Sequence, residues 1–219
     1  MFESKYSKVL TVILVIVIIA IIGLLGFLAY DYYQNYIVTK DTSDFVDNFQ
    51  GEVTDGEATD DTANSTETNP FDQIKDADTT NSSSKKQTYK GFGVLGTMEI
   101  PATNFKYPVL EKVTKKSIET SVAFLYGSGL NQPGNSVIIG HNYRNGLFFS
   151  NNKKLNIGDK IYITDTEGTK LTYTIYNKFE TTPEDTSFYQ RDTGGKPEVT
   201  LSTCTDDSSA RLIICAKAE

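Results

Sequence analysis

The side chain best suited to covalent chemistry is a cysteine at the end of a partly polar run. Cys204 closes the run 199–204, in which strand alternation places Thr200 and Ser202 on the same face as the cysteine. A structural cysteine usually has apolar neighbours, so these polar ones indicate an open groove, although a strand-end cysteine taken alone is more often inert core. In a groove, its thiolate would be a nucleophile.

The second cysteine serves as an internal comparison. Cys215 lies within the continuous apolar run 212–216, which is typical of ordinary core. We expect no disulfide with Cys204, because bridging needs a short and specific separation that hairpin-related positions do not by themselves provide.

The chain contains one histidine, which stands just past an apolar run. His141 follows residues 136–140, and Gly140 before it permits a sharp bend into a cleft. If Cys204 needs an imidazole to favour its thiolate or to protonate a leaving amine, His141 is the only candidate. The alternative is a loop histidine with a local hydrogen bond.

An arginine begins the next predicted strand. Only the connection 205–210 separates Cys204 from Arg211, so a hairpin would bring the guanidinium beside the cysteine. A permanently charged donor there would stabilise the oxyanion of a tetrahedral intermediate. Arg211 would otherwise pair with Asp206 or Asp207 at the surface.

These residues resemble the sortases, cysteine transpeptidases of Gram-positive cell surfaces. The family signature T-L-x-T-C is matched by residues 200–204, its next-strand arginine by Arg211 and its upstream histidine by His141, within Gly140-His141-Asn142. The similarity extends over roughly residues 90–219. It includes the stretch from Tyr107 to Val109 and the pair Ile100-Pro101.

The resemblance implies roles for these residues. Cys204 would attack the Thr-Gly bond of an LPxTG-like sorting signal on a surface protein and pass the acyl group to an amine on peptidoglycan or a pilin. His141 would be the general acid and base, and Arg211 would bind the signal and the oxyanion. The candidate substrate-binding residues are Thr203, Ser202 and Asn142. The alternatives are a hydrolytic cysteine protease of the same fold and an anchored surface-binding module whose cysteine is structural.

A period-two apolar pattern dominates the C-terminal 131 residues. It predicts strands over residues 94–100, 107–110, 136–140, 160–164, 171–179, 199–204 and 211–216. The helical segments 115–122 and 148–154 are too short to cover a parallel sheet, which favours a small antiparallel barrel or sandwich. The resemblance implies the fold class, an all-β closed antiparallel eight-stranded barrel with short helices. The short connection before the cysteine strand and the absence of a D-P-[WFY] lid motif favour a class A or class D sortase.

The N-terminal part predicts a membrane anchor. Residues 9–30 carry no charge, and these 22 residues would span about 33 Å as a helix. Lys5 and Lys8 precede them, so residues 1–8 are predicted to be cytoplasmic and the rest of this single-pass protein to face the cell wall. A cleaved signal peptide is the competing interpretation, but the apolar run is longer than its usual core.

The charge is concentrated in the segment between anchor and barrel. Residues 41–88 hold 12 acids and three lysines, a net charge of −9 against −7 for the whole chain. We therefore predict an acidic disordered extracellular tether over 31–88 and a catalytic domain over 89–219.

The remaining composition excludes several classes of site. The domain after the tether has a net charge of +1 and no clustered arginines, which argues against nucleic-acid binding. One histidine and two cysteines exclude three-histidine and four-cysteine metal sites, and we expect no obligatory cofactor. The carboxylates from Glu180 to Asp185 offer oxygen ligands for calcium, with solvated loop acids as the alternative interpretation.

Overall fold

The computed structural model of the protein describes residues 5–54 and 87–219, and side chains within residues 10–49 and 87–219. The described chain forms two α-helices, two short 3-10 helices and nine strands. In chain order these are α1 (Lys5–Thr54), β1 (Thr88–Tyr89), β2 (Phe92–Ile100), a 3-10 helix (Pro101–Thr103), β3 (Phe105–Leu110), α2 (Lys115–Thr120), β4 (Val122–Tyr126), β5 (Gly134–Ile139), a 3-10 helix (Phe149–Lys154), β6 (Lys160–Asp165), β7 (Lys170–Thr181), β8 (Pro197–Cys204) and β9 (Arg211–Ala218).

Strands β2 to β9 close into a barrel. Their order is β2-β3-β4-β5-β8-β9-β7-β6, and β6 pairs again with β2. The predicted closed eight-stranded barrel is thus confirmed. It is mixed rather than wholly antiparallel, because β3 pairs with β4 and β5 pairs with β8 in parallel. Parallel neighbours need a crossover connection, which α2 and the β6–β7 hairpin supply here.

All seven strands predicted from the alternating pattern are present, but β4 is missing from the prediction. The helical pattern extends into it, whereas α2 ends at Thr120. Helix α2 begins with a capping box in which the Thr114 and Ser117 side chains satisfy each other's backbone N–H groups. A β-branched, apolar and aromatic run follows directly and forms β4.

Two apolar layers hold the strands that carry the candidate site. Val199 and Leu201 of β8 face the barrel interior, together with Ile214 of β9. The outer face of the same strands packs Ile213 and Cys215 against Phe188, from the connection between β7 and β8. Strand β8 is therefore buried on both faces over most of its length, which fixes the position of its last residue.

Helix α1 combines an exposed apolar part with a part docked on the barrel. From Leu10 to Leu28 its large apolar side chains face away from the protein, and the helix is long and apolar enough to cross a membrane. The sequence predicts that a tether begins at residue 31, but in the structure the helix continues to Thr54. The remainder of the predicted tether, residues 55–86, lies outside the described residues.

The docked part of α1 has a periodic buried face. Thr42, Val46 and Phe49 lie on one side of the helix and are buried, in line with their three- and four-residue spacing. Phe49 joins an apolar cluster that includes Tyr89 and Leu110 of the barrel. The predicted tether is therefore helical and packed at its start, because these apolar residues find a partner surface on the barrel.

Polar contacts fix the same helix segment. The Tyr89 hydroxyl donates to Asp41 Oδ2 at 2.7 Å, and Lys90 forms an ion pair with the same carboxylate at 2.8 Å. The hydrogen bond from Lys90, and to a smaller extent that from Tyr89, holds the pKa of Asp41 below its usual range. Nearer to the apolar part, Asn145 donates to Asn35 at 3.3 Å, so the helix also touches the loop that follows His141.

Candidate active site

A cleft of about 280 Å³ lies where β5 and β8 end and β9 begins. It contains Cys204, His141 and Arg211 together, as the sequence predicts. Its apolar wall comes from residues that sequence reasoning missed, namely Ile118, Leu125, Pro183 and Tyr189. The signal for Leu125 was the apolar run of β4, which is bounded by Gly127.

The cysteine and the arginine are direct partners. Cys204 and Arg211 lie opposite each other in the antiparallel β8–β9 ladder. The guanidinium donates from Nη1 to Cys204 Sγ at 2.8 Å. Both residues are partly exposed, so the sulfur and the guanidinium are accessible from the cleft. The guanidinium therefore supplies a charged hydrogen-bond donor directly at the sulfur.

The backbone just after β5 brings the histidine into the lining of the cleft. A Cβ added to Gly140 would lie 2.7 Å from Val122 Cγ1 and 2.9 Å from Phe149 Cδ2, so the backbone passes too close to its neighbours for a larger residue. The His141 carbonyl accepts from Phe149 N–H at 3.0 Å. Its ring stacks on Tyr143, with centroids 4.8 Å apart and planes inclined at 25°. These contacts orient the imidazole.

The three candidate substrate-binding residues lie in or beside the cleft, but two are committed to the protein itself. Thr203 is buried and donates from its hydroxyl to the Gly140 carbonyl at 2.7 Å, which ties β8 to the residue before the histidine. Asn142 donates from Nδ2 to the Cys204 carbonyl at 3.0 Å. Ser202 lines the cleft and is largely buried. Thr203 and Asn142 thus link the chain around His141 to the end of β8 that carries Cys204.

The carboxylates after the cysteine do not contact Arg211. Asp206 forms an ion pair with Lys153 at 2.5 Å and accepts from Asn142 Nδ2 at 3.0 Å. The hydrogen bond from Lys153, and to a smaller extent that from Asn142, holds the pKa of Asp206 below its usual range. Asp207 accepts from Thr205 Oγ1 within the connection itself. In the structure Arg211 therefore pairs with Cys204 and not with Asp206 or Asp207.

The other cysteine belongs to the packed outer layer. Both cysteines are free, and Cys215 is buried. Burial raises the pKa of the Cys215 thiol, and Thr200 Oγ1 lies 3.9 Å from its sulfur. Its contacts with Ile213 and Phe188 agree with the core assignment predicted from the sequence.

In the acidic segment before β8, the Asp185 carboxylate is bound by neighbouring residues. Glu180 lies within β7, while Asp185 accepts from Thr181 Oγ1 at 2.5 Å and from Ser187 N–H at 2.8 Å. Within residues 5–54 and 87–219, no group of three or more His, Cys, Asp or Glu side chains is arranged to hold a metal ion.

A closed β-barrel with a free cysteine, a histidine and an arginine in one cleft defines a class of cysteine-containing barrel domains. The family model described as the sortase domain matches residues 98–219, more than half of the chain. The chain therefore belongs to the sortase family, whose members are cysteine transpeptidases that anchor surface proteins.

Individual relatives agree with this assignment. The chain is 32% identical over 124 residues to sortase A of Bacillus anthracis, an alignment covering 55% of this chain and 58% of that relative. Sortase A from Corynebacterium diphtheriae is similar in structure, with a TM-score of 0.53, 30% identity and coverage of 58% and 61%. Streptococcus agalactiae sortase C1, solved in complex with MTSET, gives the same TM-score at 25% identity and covers 57% and 69%. Two different sortase classes are thus equally similar in overall fold.

Proposed function

We propose that this protein is a membrane-anchored sortase that cleaves an LPxTG-like sorting signal and transfers the surface protein to a cell-wall amine. One observation carries the proposal: a cleft lined by His141 in which the Arg211 guanidinium lies 2.8 Å from Cys204 Sγ. Such a pair supplies both the nucleophile and a fixed cationic donor.

The first half-reaction forms a thioacyl enzyme. The Cys204 thiolate attacks the carbonyl carbon of the threonine in the signal, and Arg211 donates to the resulting oxyanion. His141 protonates the leaving amine of the glycine, so the C–N bond breaks and the C-terminal fragment departs. The acyl group remains on the sulfur.

The second half-reaction transfers the acyl group. An amine of peptidoglycan or of a pilin loses a proton to His141 as it attacks the thioacyl carbon, and the thiolate leaves with Arg211 beside it. In this scheme no step needs a cofactor. Calcium at the carboxylates from Glu180 to Asp185 would act on the loop beside the cleft rather than on the chemistry. By this proposal the enzyme is of class A or class D, since a short connection without a long helix leads to β8.

The anchor gives the proposed location. The apolar part of α1 is long enough to cross a membrane, and Lys5 and Lys8 before it favour a cytoplasmic N-terminus. The barrel would then face the cell wall, where the surface proteins and the amine acceptor meet. Labelling Cys204 on intact cells with a membrane-impermeant thiol reagent tests this topology, because a cytoplasmic barrel would stay unlabelled.

Product analysis tests the chemistry. The full chain is incubated with peptides of LPxTG form, with and without hydroxylamine as a small amine, and the products are identified by mass spectrometry. The hydroxamate of the threonine fragment reports the thioacyl enzyme, and the reaction without amine separates the two activities, because a hydrolase forms the free acid there as fast as it consumes peptide with amine, whereas a transpeptidase forms it much more slowly. Cys204→Ala should abolish both products and Cys215→Ala should retain them; no turnover of any peptide by the wild type would refute the proposal.

A further inference from the structure

A second cavity of about 650 Å³ adjoins the candidate active site. We name it the distal cleft; its lining includes Tyr126, Ser128, Gly134, Tyr189, Gln190 and Arg191. Leu125 and Tyr189 line both cavities, so the two lie side by side. The catalytic steps above use only the part beside Cys204.

The distal cleft lies at the opposite end of the strands from the reactive side chains. Gly134 begins β5 and His141 follows its end, a separation of seven residues or roughly 23 Å along the strand. Arg191 donates from Nη1 to Thr200 Oγ1 at 2.8 Å, and Thr200 precedes Cys204 on β8 by four residues, roughly 13 Å. The distal cleft therefore lies on the side of Leu125 and Tyr189 that is farther from His141.

The direction of the substrate follows from the chemistry. The leaving amine must lie next to His141, because the imidazole protonates it. The residues that precede the acyl carbon must then extend the other way, past Leu125 and Tyr189. An extended peptide covers about 13 Å in four residues, which is the length of the sorting motif up to its threonine. The residues before the motif reach the distal cleft.

The lining indicates which side chains it accepts. The Tyr126 and Tyr189 rings lie 5.5 Å apart and form an aromatic wall, and Leu125 and Tyr126 are each 37% exposed. The Tyr126 hydroxyl accepts from Gln190 Nε2 at 2.8 Å, which fixes one ring. Exposed aromatic surface in a concave site favours apolar or aromatic ligand groups.

The floor of the distal cleft is polar but nearly neutral. Arg191 donates from Nε to Glu198 Oε2 at 2.6 Å and from Nη1 to the Phe188 carbonyl at 3.2 Å. Because Glu198 compensates the guanidinium, the distal cleft is not built for an anionic ligand.

From this placement we propose that the distal cleft binds the two or three substrate residues immediately preceding the sorting motif and prefers a large apolar or aromatic side chain among them. The inference rests on the proposed function, since it assumes that the motif occupies the catalytic cleft. It makes the region upstream of the motif a determinant of which surface proteins are processed efficiently.

Three peptides test this with the full chain. One begins at the leucine of the motif and is acetylated, one adds three alanines before it, and one adds alanine-phenylalanine-alanine. We expect the phenylalanine peptide to be processed with roughly tenfold higher kcat/KM than the acetylated one, the scale for partial burial of one aromatic side chain. The gain should appear mainly in KM.

Variants locate the effect. The quantity compared is the kcat/KM for the phenylalanine peptide divided by that for the acetylated peptide. In Tyr126→Ala and in Gln190→Ala this ratio should fall towards one. Taking the ratio within each variant corrects for any loss of activity common to both peptides. Tyr162→Ala, on β6 and outside both clefts, should keep the tenfold ratio. Equal processing of the three peptides by the wild type, or a ratio that survives in both cleft variants, would overturn the inference. If the wild type processed none of the peptides, the proposed function would fail and this inference with it.

Discussion

Replacing Arg211 by lysine tests the central contact of the cleft. The substitution keeps the positive charge but removes the planar fork of donors, one of which lies 2.8 Å from Cys204 Sγ. An ammonium on a flexible stem cannot hold the sulfur and an oxyanion in one fixed geometry. We therefore expect Arg211→Lys to be far from conservative.

The expected magnitude follows from the loss of one oxyanion donor. Such a loss typically lowers turnover by about 10²- to 10³-fold, or roughly 3 to 4 kcal/mol in the barrier. Folding should change little, because Arg211 is partly exposed at the cleft and its neighbours Leu212 and Ile213 hold β9 in place. Activity and stability should thus separate.

The assay is turnover of a quenched fluorescent peptide of LPxTG form with an added amine, measured beside thermal unfolding. Arg144→Lys is the matched control, since Arg144 is exposed and its guanidinium donates to the Asp206 carbonyl at 2.9 Å. We expect the control to retain turnover within about twofold, as is usual for exposed polar contacts. A wild-type rate in Arg211→Lys would remove Arg211 from the mechanism.

Three further predictions concern packing. Cys215→Ser should lower the free energy of unfolding by about 1 to 3 kcal/mol, because a hydroxyl needs a partner in the buried layer, and should leave turnover and thiosulfonate labelling of Cys204 intact; a folded but inactive variant would reverse the roles of the two cysteines. Gly140→Ala should lower the free energy of unfolding by about 1 to 3 kcal/mol and reduce turnover, because the added methyl group pushes against Val122 and Phe149 and shifts His141; an unchanged melting temperature would contradict this close approach. A chain shortened to residues 87–219 should keep the barrel and its turnover but melt at a lower temperature than the full chain, because the cluster around Tyr89 loses Phe49. In the full chain, Phe49→Ala should lower the melting temperature, whereas Asp44→Ala, at an exposed position, should not. Equal melting temperatures of the full chain, the shortened chain and the two variants would show that the helix does not dock.

The barrel strands were accessible from sequence because their burial alternates. In β8, Val199 and Leu201 face the interior, and the period of two predicts both the strand and its inner face. The sequence pattern does not predict β4, because Ile118 and Val122 have an apolar spacing that suits a helix as well. Only Ser121, a bend with extended backbone angles, separates α2 from β4.

The docked helix escaped prediction for a different reason. The acidic composition after residue 31 predicts disorder, and it outweighs the few apolar residues at helical spacing. Phe45, Val46 and Phe49 become a buried stripe only because Tyr89 and Leu110 present a surface to them. That surface is formed by strands about 40 or more residues away in the chain, and no local pattern contains it.

The polar residues of β8 show what a strand pattern can and cannot report. Thr200 shares a face with Cys204, and its polarity was interpreted as an open groove. In the structure Thr200 is fully buried, donates to Asn135 Oδ1 at 2.8 Å and accepts from Arg191 Nη1. Polarity within a strand therefore indicates a hydrogen-bond partner, which is water at an exposed position and another side chain at a covered one. Arg191 belongs to the connection that covers this face of β8 and also lines the distal cleft. The polar face of β8 therefore carries Cys204 at the end of the strand and, at Thr200, binds a residue of the distal cleft.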